Sequence, residues 1–585
     1  MAMQPLKRLR AVNKLGKCWR TELKSQKLII YKTCYNLVKK IKKNYLRTNF
    51  KFVKKNLRLA LLSGLLCVLA WPVDGFAFLI FFAFIPLLLL ESNIRQEQTR
   101  RSGLRVFGYS YLMALIWNLG TTWWLVNASV FGMLFANLCN SSFYAILITV
   151  YHWSAKRLPQ RSAYIFLIAL WLSFEKGHLL WDFSWPWLNL GNVFSESIHW
   201  IQWYEYTGAF GGTLWVLVAN ILGFQIFKSW KESTPFTHRI KSTVPWLLTI
   251  AIPIIISLLL YQNVDLTSQE IKIAVTQPNI DPYNEKYNFS NAQFLDQLKV
   301  LTQEISKEPL DFIFTPETYF ASGLGEELAT FGNNSLYNQL ETYAKEKPET
   351  LFVTGIQFYD IYVGNEAPTE TANKVRDRLW VDYYNSALAF HSTAPYSVYH
   401  KSKLVVGVEN MPYKKIFQPL LGSFMIDLGG TVSSRAIQPQ RTVFEHPKLG
   451  YKVGPIICYE SIYGEFVTEY VRKGAHFLGV ITNDAWWGNT PGHRQLLSYT
   501  RLRAIENRRG ISRSANTGIS SFIDPKGAFQ SRLDYDTKGL LVGTLPKMED
   551  LTFYTRYGDY LARIAVLIAA LYFLLALSGR LKNDL

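Results

Sequence analysis

Charge is scarce in this chain. Only 18% of its 585 residues are charged, and acids are the rarer sign, 43 Asp and Glu against 63 Lys and Arg. With 49% hydrophobic and 15% aromatic residues, that scarcity excludes a disordered chain, a collagen and a small disulfide scaffold. Cysteine is rare too: Cys18, Cys34, Cys67, Cys139 and Cys458 stand without pair spacing, which suggests neither a disulfide framework nor a zinc site. GxSxG, HExxH, P-loop and GxGxxG motifs are all missing, so serine-hydrolase, zinc and nucleotide readings have nothing to rest on. No small-residue cleavage pattern follows a short apolar core near the start, so no cleavable signal peptide is expected.

What charge there is collects at one end. Residues 1–58 hold 18 Lys and Arg and one acid, Glu22, leaving a net of only +3 for the other 527 residues. Ile30, Cys34, Leu37, Val38, Ile41 and Tyr45 fall at helical spacing, with Lys39, Lys40, Lys42 and Lys43 on the other face. Directly before an apolar run, this basic amphipathic segment reads as a lipid-surface contact or a topology signal rather than a nucleic-acid site.

Long apolar runs near 57–73, 76–91, 106–125, 130–151, 163–179, 209–227, 245–261 and 560–579 each approach the ~20 residues a helix needs to cross a bilayer. The expected plan is therefore a polytopic helical bundle of about eight spans with an α/β domain in the long link. Its divisions are a basic extension (1–56), seven spans (57–263), the inserted domain (264–556), and a last span with a short tail (557–585). Basic residues recur in alternate links: Arg95, Arg100, Arg101 and Arg105; Lys156, Arg157 and Arg161; Lys228, Lys231, Arg239 and Lys241; Arg580 and Lys582. This alternation places both termini in the cytoplasm and the inserted domain outside. The link 180–208 carries Trp181, Trp185, Trp187, Trp200 and Trp203, which read as an aromatic belt or as a lipid-facing floor under the outer domain. Glu175, Asp182 and Glu205 nearby favour a functional cavity.

Within 264–556, short apolar runs (271–277, 311–317, 351–358, 385–391, 453–460, 476–484, 510–516) alternate with helical patterns such as Asn291–Ser306 and Gly492–Asn507. That alternation argues for an α/β sandwich. Glu317 and Cys458 stand at the ends of such runs, and Lys401 follows Tyr399-His400. Singly, a strand-end Cys is more often a small buried hydrophobe, and a lone Glu or Lys a solvated charge. Together they make a chemical set: Glu317 can take the thiol proton of Cys458, and Lys401 can steady an oxyanion.

These residues and their flanks, TPE (315–317), YHKSKLV (399–405) and ICYESIYGE (457–465), resemble the carbon–nitrogen hydrolase, or nitrilase, superfamily. With WPWLNLGN (185–192), QPNI (277–280), NDAWWG (483–488), NTGISSFIDPKG (516–527) and the eight-span plan, the resemblance narrows to the apolipoprotein N-acyltransferase family of bacterial inner membranes. It covers the chain from about residue 57 onward. It implies an α-β-β-α sandwich in which Cys458 is nucleophile, Glu317 general base and Lys401 oxyanion stabiliser. Glu409, Tyr459 and Glu460 match supporting positions. Val408 departs from a frequent Gly, and Tyr287, after Lys286, stands near where some members have Trp. The implied reaction moves an acyl chain from a phospholipid, phosphatidylethanolamine by resemblance, through a Cys thioester to the α-amino group of a diacylglyceryl apolipoprotein. It needs no cofactor, metal or nucleic acid, and the domain would face the periplasm. The rival readings are a membrane-tethered amidase acting on a soluble amide, and a scaffold or transporter.

Overall fold

The computed structural model describes residues 52–579 and Lys39, apart from 98, 232–235, 282–284, 287, 304–308, 411–412 and 414–433. Most of the basic arm, including the amphipathic stretch Ile30–Tyr45 save Lys39, lies outside the described residues, as do Tyr287 and the tail cations Arg580 and Lys582.

A helix occupies each of the eight apolar stretches: 52–70, Ile85–Gln96 with a short lead-in, Ser102–Thr122, Val130–Ala155, Gln160–His178, Ala209–Lys231, Phe236–Asn263 and Tyr560–Ser578. Among the described residues, five of these regions are long and apolar enough to cross a membrane by length and composition. The 52–70, Ser102–Thr122 and Gln160–His178 helices are not among them. Polar side chains of the latter two bond across the bundle: Thr122 Oγ1 donates to Asn137 Oδ1 at 3.1 Å, and His178 pairs with Asn140 at 2.8 Å.

Between the last two long helices the chain builds two sheets. The first runs β14-β1-β2-β4-β6-β5, where β1 is Glu270–Gln277, β2 Phe312–Phe314, β4 Leu351–Val363, β5 Asn373–Arg376, β6 Leu379–His391 and β14 Gly539–Pro546. Strands β3 (Glu326–Glu327) and β7 (Ala394–His400) join it through β4 and β6. The second runs β13-β12-β11-β10-β9-β8, from Phe529–Arg532 through Ser521–Ile523, Ile511–Ala515, Phe477–Thr482 and Lys452–Ile457 to Phe444–Glu445. Strands β1, β2 and β4 are parallel neighbours, and so are β9, β10 and β11. Buried on both faces, the central strands read as near-continuous apolar runs, and every residue of β10 is buried. The sheets meet face to face: Phe312 packs edge-on against Phe477 at 5.0 Å, and a Cβ on Gly479 would lie 2.3 Å from the Phe314 ring. Helices Asn291–Gln303 and Ser335–Glu346 cover the first sheet, and Gly464–Arg472 covers the second. The result is an α-β-β-α sandwich on a helical bundle.

One helix joins the two parts. Pro491–Asn507 starts with Thr490 as N-cap and Pro at N1 and ends at Arg508 in the left-handed region, φ +48°. It is buried all round although half polar, because each face has partners. Gln495 accepts from the Trp187 indole at 2.7 Å, Tyr499 accepts from the Trp71 indole at 2.8 Å, and Arg501 pairs with Glu196 at 2.7 Å. Arg508 donates to Glu205 and Gln202, both at 2.6 Å.

This packing places Trp187 of the aromatic link. Trp187 is fully buried, wedged between Trp124 (4.9 Å), Trp185 (5.3 Å) and Trp487 of the sandwich (5.8 Å). It is a buried joint between bundle and sandwich, not part of a surface belt. Nor does Glu175 mark a cavity: it accepts from Leu190 N, Thr213 Oγ1 and Trp171 Nε1, so its burial cost is met by hydrogen bonds. Glu205 is paired with Arg508, and Asp182 is exposed.

Candidate active site

Four strand ends bring the reactive residues together. Cys458 directly follows β9, Asn483 directly follows β10, Lys401 directly follows β7, and Glu317 lies three residues beyond β2. Strand ends of this kind open onto crevices in α/β folds. The Glu317 turn needs a close approach: a Cβ on Gly355 of β4 would lie 2.2 Å from Pro316 O and 2.4 Å from Thr318 N. Cys458 itself has φ +51°, a region that costs a non-glycine residue roughly 1–2 kcal/mol. The strand stops there and a short 3-10 helix, Cys458–Ile462, begins, which sets the thiol on a sharp elbow.

Lys401 is the hub. Its Nζ donates to Glu317 Oε1 at 2.9 Å and to Glu409 Oε1 at 3.0 Å. Asn385 of β6 donates to the same two carboxylates at 2.7 and 3.1 Å. The register holds this geometry, because His400 pairs with Ser386 and the Lys401 amide donates to Asn385 O at 2.8 Å. The other Glu317 oxygen accepts the Asn483 amide at 3.0 Å, and Glu409 also accepts the Val405 amide at 2.9 Å.

Electrostatics follow from this packing. Burial works against the Lys401 charge, but Glu317 and Glu409 overcome it and hold the ammonium above the ordinary lysine value. Burial also opposes the Glu409 charge, yet Lys401 and Arg435 hold that carboxyl below the usual range. Burial pushes the Cys458 thiol well up, and the Glu317 charge adds to this while Lys401 opposes it. Burial therefore favours the neutral thiol of Cys458 over the thiolate.

Cys458, Glu317, Lys401, Glu409 and Tyr459 line one cavity of about 290 Å³. Its apolar wall comes from both parts of the chain: Phe131, Phe135 and Phe143 of the bundle, Phe183 and Trp185 of the link, and Val405–Val408 of the sandwich. Glu460 does not line it. Its carboxylate accepts from Ile457 N at 2.8 Å, Ser402 N at 2.7 Å and Tyr399 Oη at 2.6 Å, tying the Cys458 elbow to the Lys401 strand. Burial raises the Glu460 carboxyl to about 6, with those three bonds opposing. Tyr459 Oη donates to Ser184 O of the link at 3.3 Å.

The carbon-nitrogen hydrolase family profile matches residues 272–551, and the apolipoprotein N-acyltransferase N-terminal domain profile matches residues 63–222. An apolipoprotein N-acyltransferase of Chlorobaculum tepidum is 30% identical over 535 residues, covering 90% of this chain and 97% of that one. This chain belongs to the apolipoprotein N-acyltransferase family. A relative of the same name from Geobacter metallireducens is 27% identical over 551 residues, covering 91% and 96% of the two chains. Another, from Haemophilus influenzae, is 26% identical over 574 residues, covering 93% and 99%. As a member of the apolipoprotein N-acyltransferase family, the protein is a membrane-bound acyltransferase carrying a nitrilase-like domain.

Three polar residues of the site escaped the sequence reading. Asn385 lies in mid-strand on β6 and carried no signal, whereas Asn483 opens NDAWWG, where a polar side chain at the end of an apolar strand was the available signal. Lys286 is the third. Only 5% exposed, it donates to Thr318 Oγ1, and burial lowers its ammonium to about 8 while Glu317 holds it up.

Proposed function

We propose that Cys458 takes an acyl chain from a membrane phospholipid and passes it to the α-amino group of the diacylglyceryl-cysteine of a lipoprotein. One observation carries this reading: Cys458 sits where the buried Glu317–Lys401–Glu409 cluster meets an apolar cavity half walled by the bundle. A soluble amide has no use for such a wall, so the tethered-amidase reading fits the geometry less well.

The steps balance as two displacements. Glu317 takes the Cys458 proton as sulfur attacks the ester carbonyl, and Lys401 faces the oxyanion. Collapse forms the thioester, and the departing lysophospholipid hydroxyl carries off the proton from Glu317. The lipoprotein amine then attacks the thioester, Glu317 accepts its proton, and the thiol is restored as the amide forms. An ester in and an amide out need no cofactor. Glu409 keeps Lys401 charged while Glu317 changes state.

The donor is phosphatidylethanolamine in this reading, giving up its sn-1 chain. The protein sits in the inner membrane with residues 264–556 in the periplasm, 57–263 and 557–585 as spans and tail, and 1–56 in the cytoplasm. The alternation of basic links supports this orientation. The test supplies phosphatidylethanolamine labelled separately in each acyl chain with a diacylglyceryl peptide. Label from the sn-1 chain should appear as an N-acyl amide; label from neither chain would defeat the reading.

A further inference from the structure

A second cavity, about 640 Å³, opens at the end of the bundle remote from Cys458. Helix Val130–Ala155 measures the separation. Gly132, near its start, lines the catalytic cavity, and Ala155, its last residue, lines the remote one. At 1.5 Å per residue they are about 35 Å apart, roughly the apolar thickness of a bilayer.

Arg95, Lys156 and Lys228 line this cavity, and Arg161 lines a cleft that continues from it through Gln160 and Lys228. Among the described residues no carboxylate lines either one. Glu91 stands behind the wall, 1% exposed, where it pairs with Arg95 at 3.1 Å and His152 at 2.7 Å. The cations are held in place: Arg95 donates to Ala155 O at 3.2 Å and Lys156 to Ser102 Oγ at 2.5 Å. Thr99 Oγ1, on the same wall, is shielded from water and has no hydrogen-bond partner among the described residues.

Complementing helix dipoles is a sufficient reason for Arg95, Lys156 and Lys228, which stand at C-terminal ends of helices. It does not explain Arg161, in the first turn of Gln160–His178, where a cation is unfavourable to the helix and the orienting alternation of basic links is the reason for it. Nor does it explain an open space between the cations. Leu158 and Phe224 line that space as well, and Phe227 and Trp230, beside Lys228, are 52% and 54% exposed. Cations around a cavity flanked by exposed aromatic side chains suit a phosphate that carries acyl chains.

We propose that this cavity binds the phosphate of an anionic phospholipid, from the leaflet opposite the catalytic domain, as a bound lipid and not as a substrate. A soluble phosphate would offer the same anion, so the test separates the two. Full-length protein in detergent is loaded with phosphatidylglycerol or phosphatidylcholine and examined by native mass spectrometry, with and without millimolar inorganic phosphate. The wild type should retain phosphatidylglycerol about tenfold or more over phosphatidylcholine, and inorganic phosphate should not displace it. Lys156→Gln/Arg161→Gln/Lys228→Gln should lose that preference. Lys526→Gln, at the catalytic end, should keep it. Arg161→Glu changes an exposed side chain, so it serves if the triple variant fails to fold, with a preference reduced by about threefold or more. Equal retention of both lipids, an unchanged preference in these variants, or displacement by inorganic phosphate would overturn the proposal.

Discussion

Lys401 Nζ stands 2.9 Å from Glu317 Oε1 and 2.9 Å from Glu409 Oε2, with 1% of the lysine side chain exposed. Two carboxylates thus share one cation, so removing it takes the ion-pair partner from Glu317 and leaves Glu409 with Arg435 alone. Lys401→Met should cost about 3–5 kcal/mol of stability and at least about 100-fold in acylation rate. Adding Glu409→Gln should return part of the stability and none of the rate. Thermal unfolding and single-turnover acylation read the two separately. The signs also fix the pH window. Glu409, held low, stabilises above the ordinary carboxylate range and loses this as pH falls through its depressed value. Lys401, held high, stabilises below the ordinary lysine value and loses this only as pH rises through its raised one. The cluster should therefore stay intact across neutral pH.

The elbow at Cys458 gives a stability comparison independent of chemistry. At φ +51° glycine is unstrained and alanine is not, so Cys458→Gly should be more stable than Cys458→Ala by about 1 kcal/mol. Both should be inactive. In an ordinary extended or helical backbone the order would reverse, and chemical denaturation of the two variants decides it.

Glu506, on the joining helix, pairs with Arg503 at 2.9 Å and accepts the Ala209 amide at 3.0 Å. Burial nevertheless raises its carboxyl to about 7, with Arg503 opposing. A raised carboxyl contributes stability that is fully present below about 4.5 and is lost as pH rises through about 7. Glu506→Gln lacks that dependence, so its melting temperature relative to wild type should rise between pH 5 and pH 8. The expected swing is up to about 3 kcal/mol. A pH-independent difference would contradict it.

The buried joint between bundle and sandwich depends on Trp187. Trp187→Ala removes a fully buried ring between Trp124 and Trp487 and leaves Gln495 Oε1 without its donor. A loss of about 3–5 kcal/mol is expected, read by thermal unfolding. A surface belt residue would cost far less.

Both layers of the fold were legible because their patterns are long. Each of the seven apolar runs between 271 and 516 contains a strand, and each long apolar stretch contains a helix. Strands such as β7 and β13 were missed, since their half-exposed residues alternate and carry little continuous apolar signal. Residues of the site were legible as strand-end chemistry, but their mutual arrangement was not. Asn385 meets Glu317 across 68 positions and Asn483 meets it across 166, separations that no local period records. The tryptophan link was legible as aromatic, but its division of labour was not: Trp181 and Trp185 wall the cavity, while Trp187 also bonds Gln495, 308 positions away.

Intact-protein mass spectrometry after exposure to phospholipid without acceptor tests the proposed thioester most directly. Wild-type protein should stall with one acyl chain on Cys458, released by hydroxylamine or by a diacylglyceryl peptide with a free α-amine. Cys458→Ala should never gain it, and Glu317→Gln should gain it on the order of 100-fold more slowly. Acyl label on Cys458→Ala, or on Cys67 or Cys139 in the wild type, would contradict the assignment.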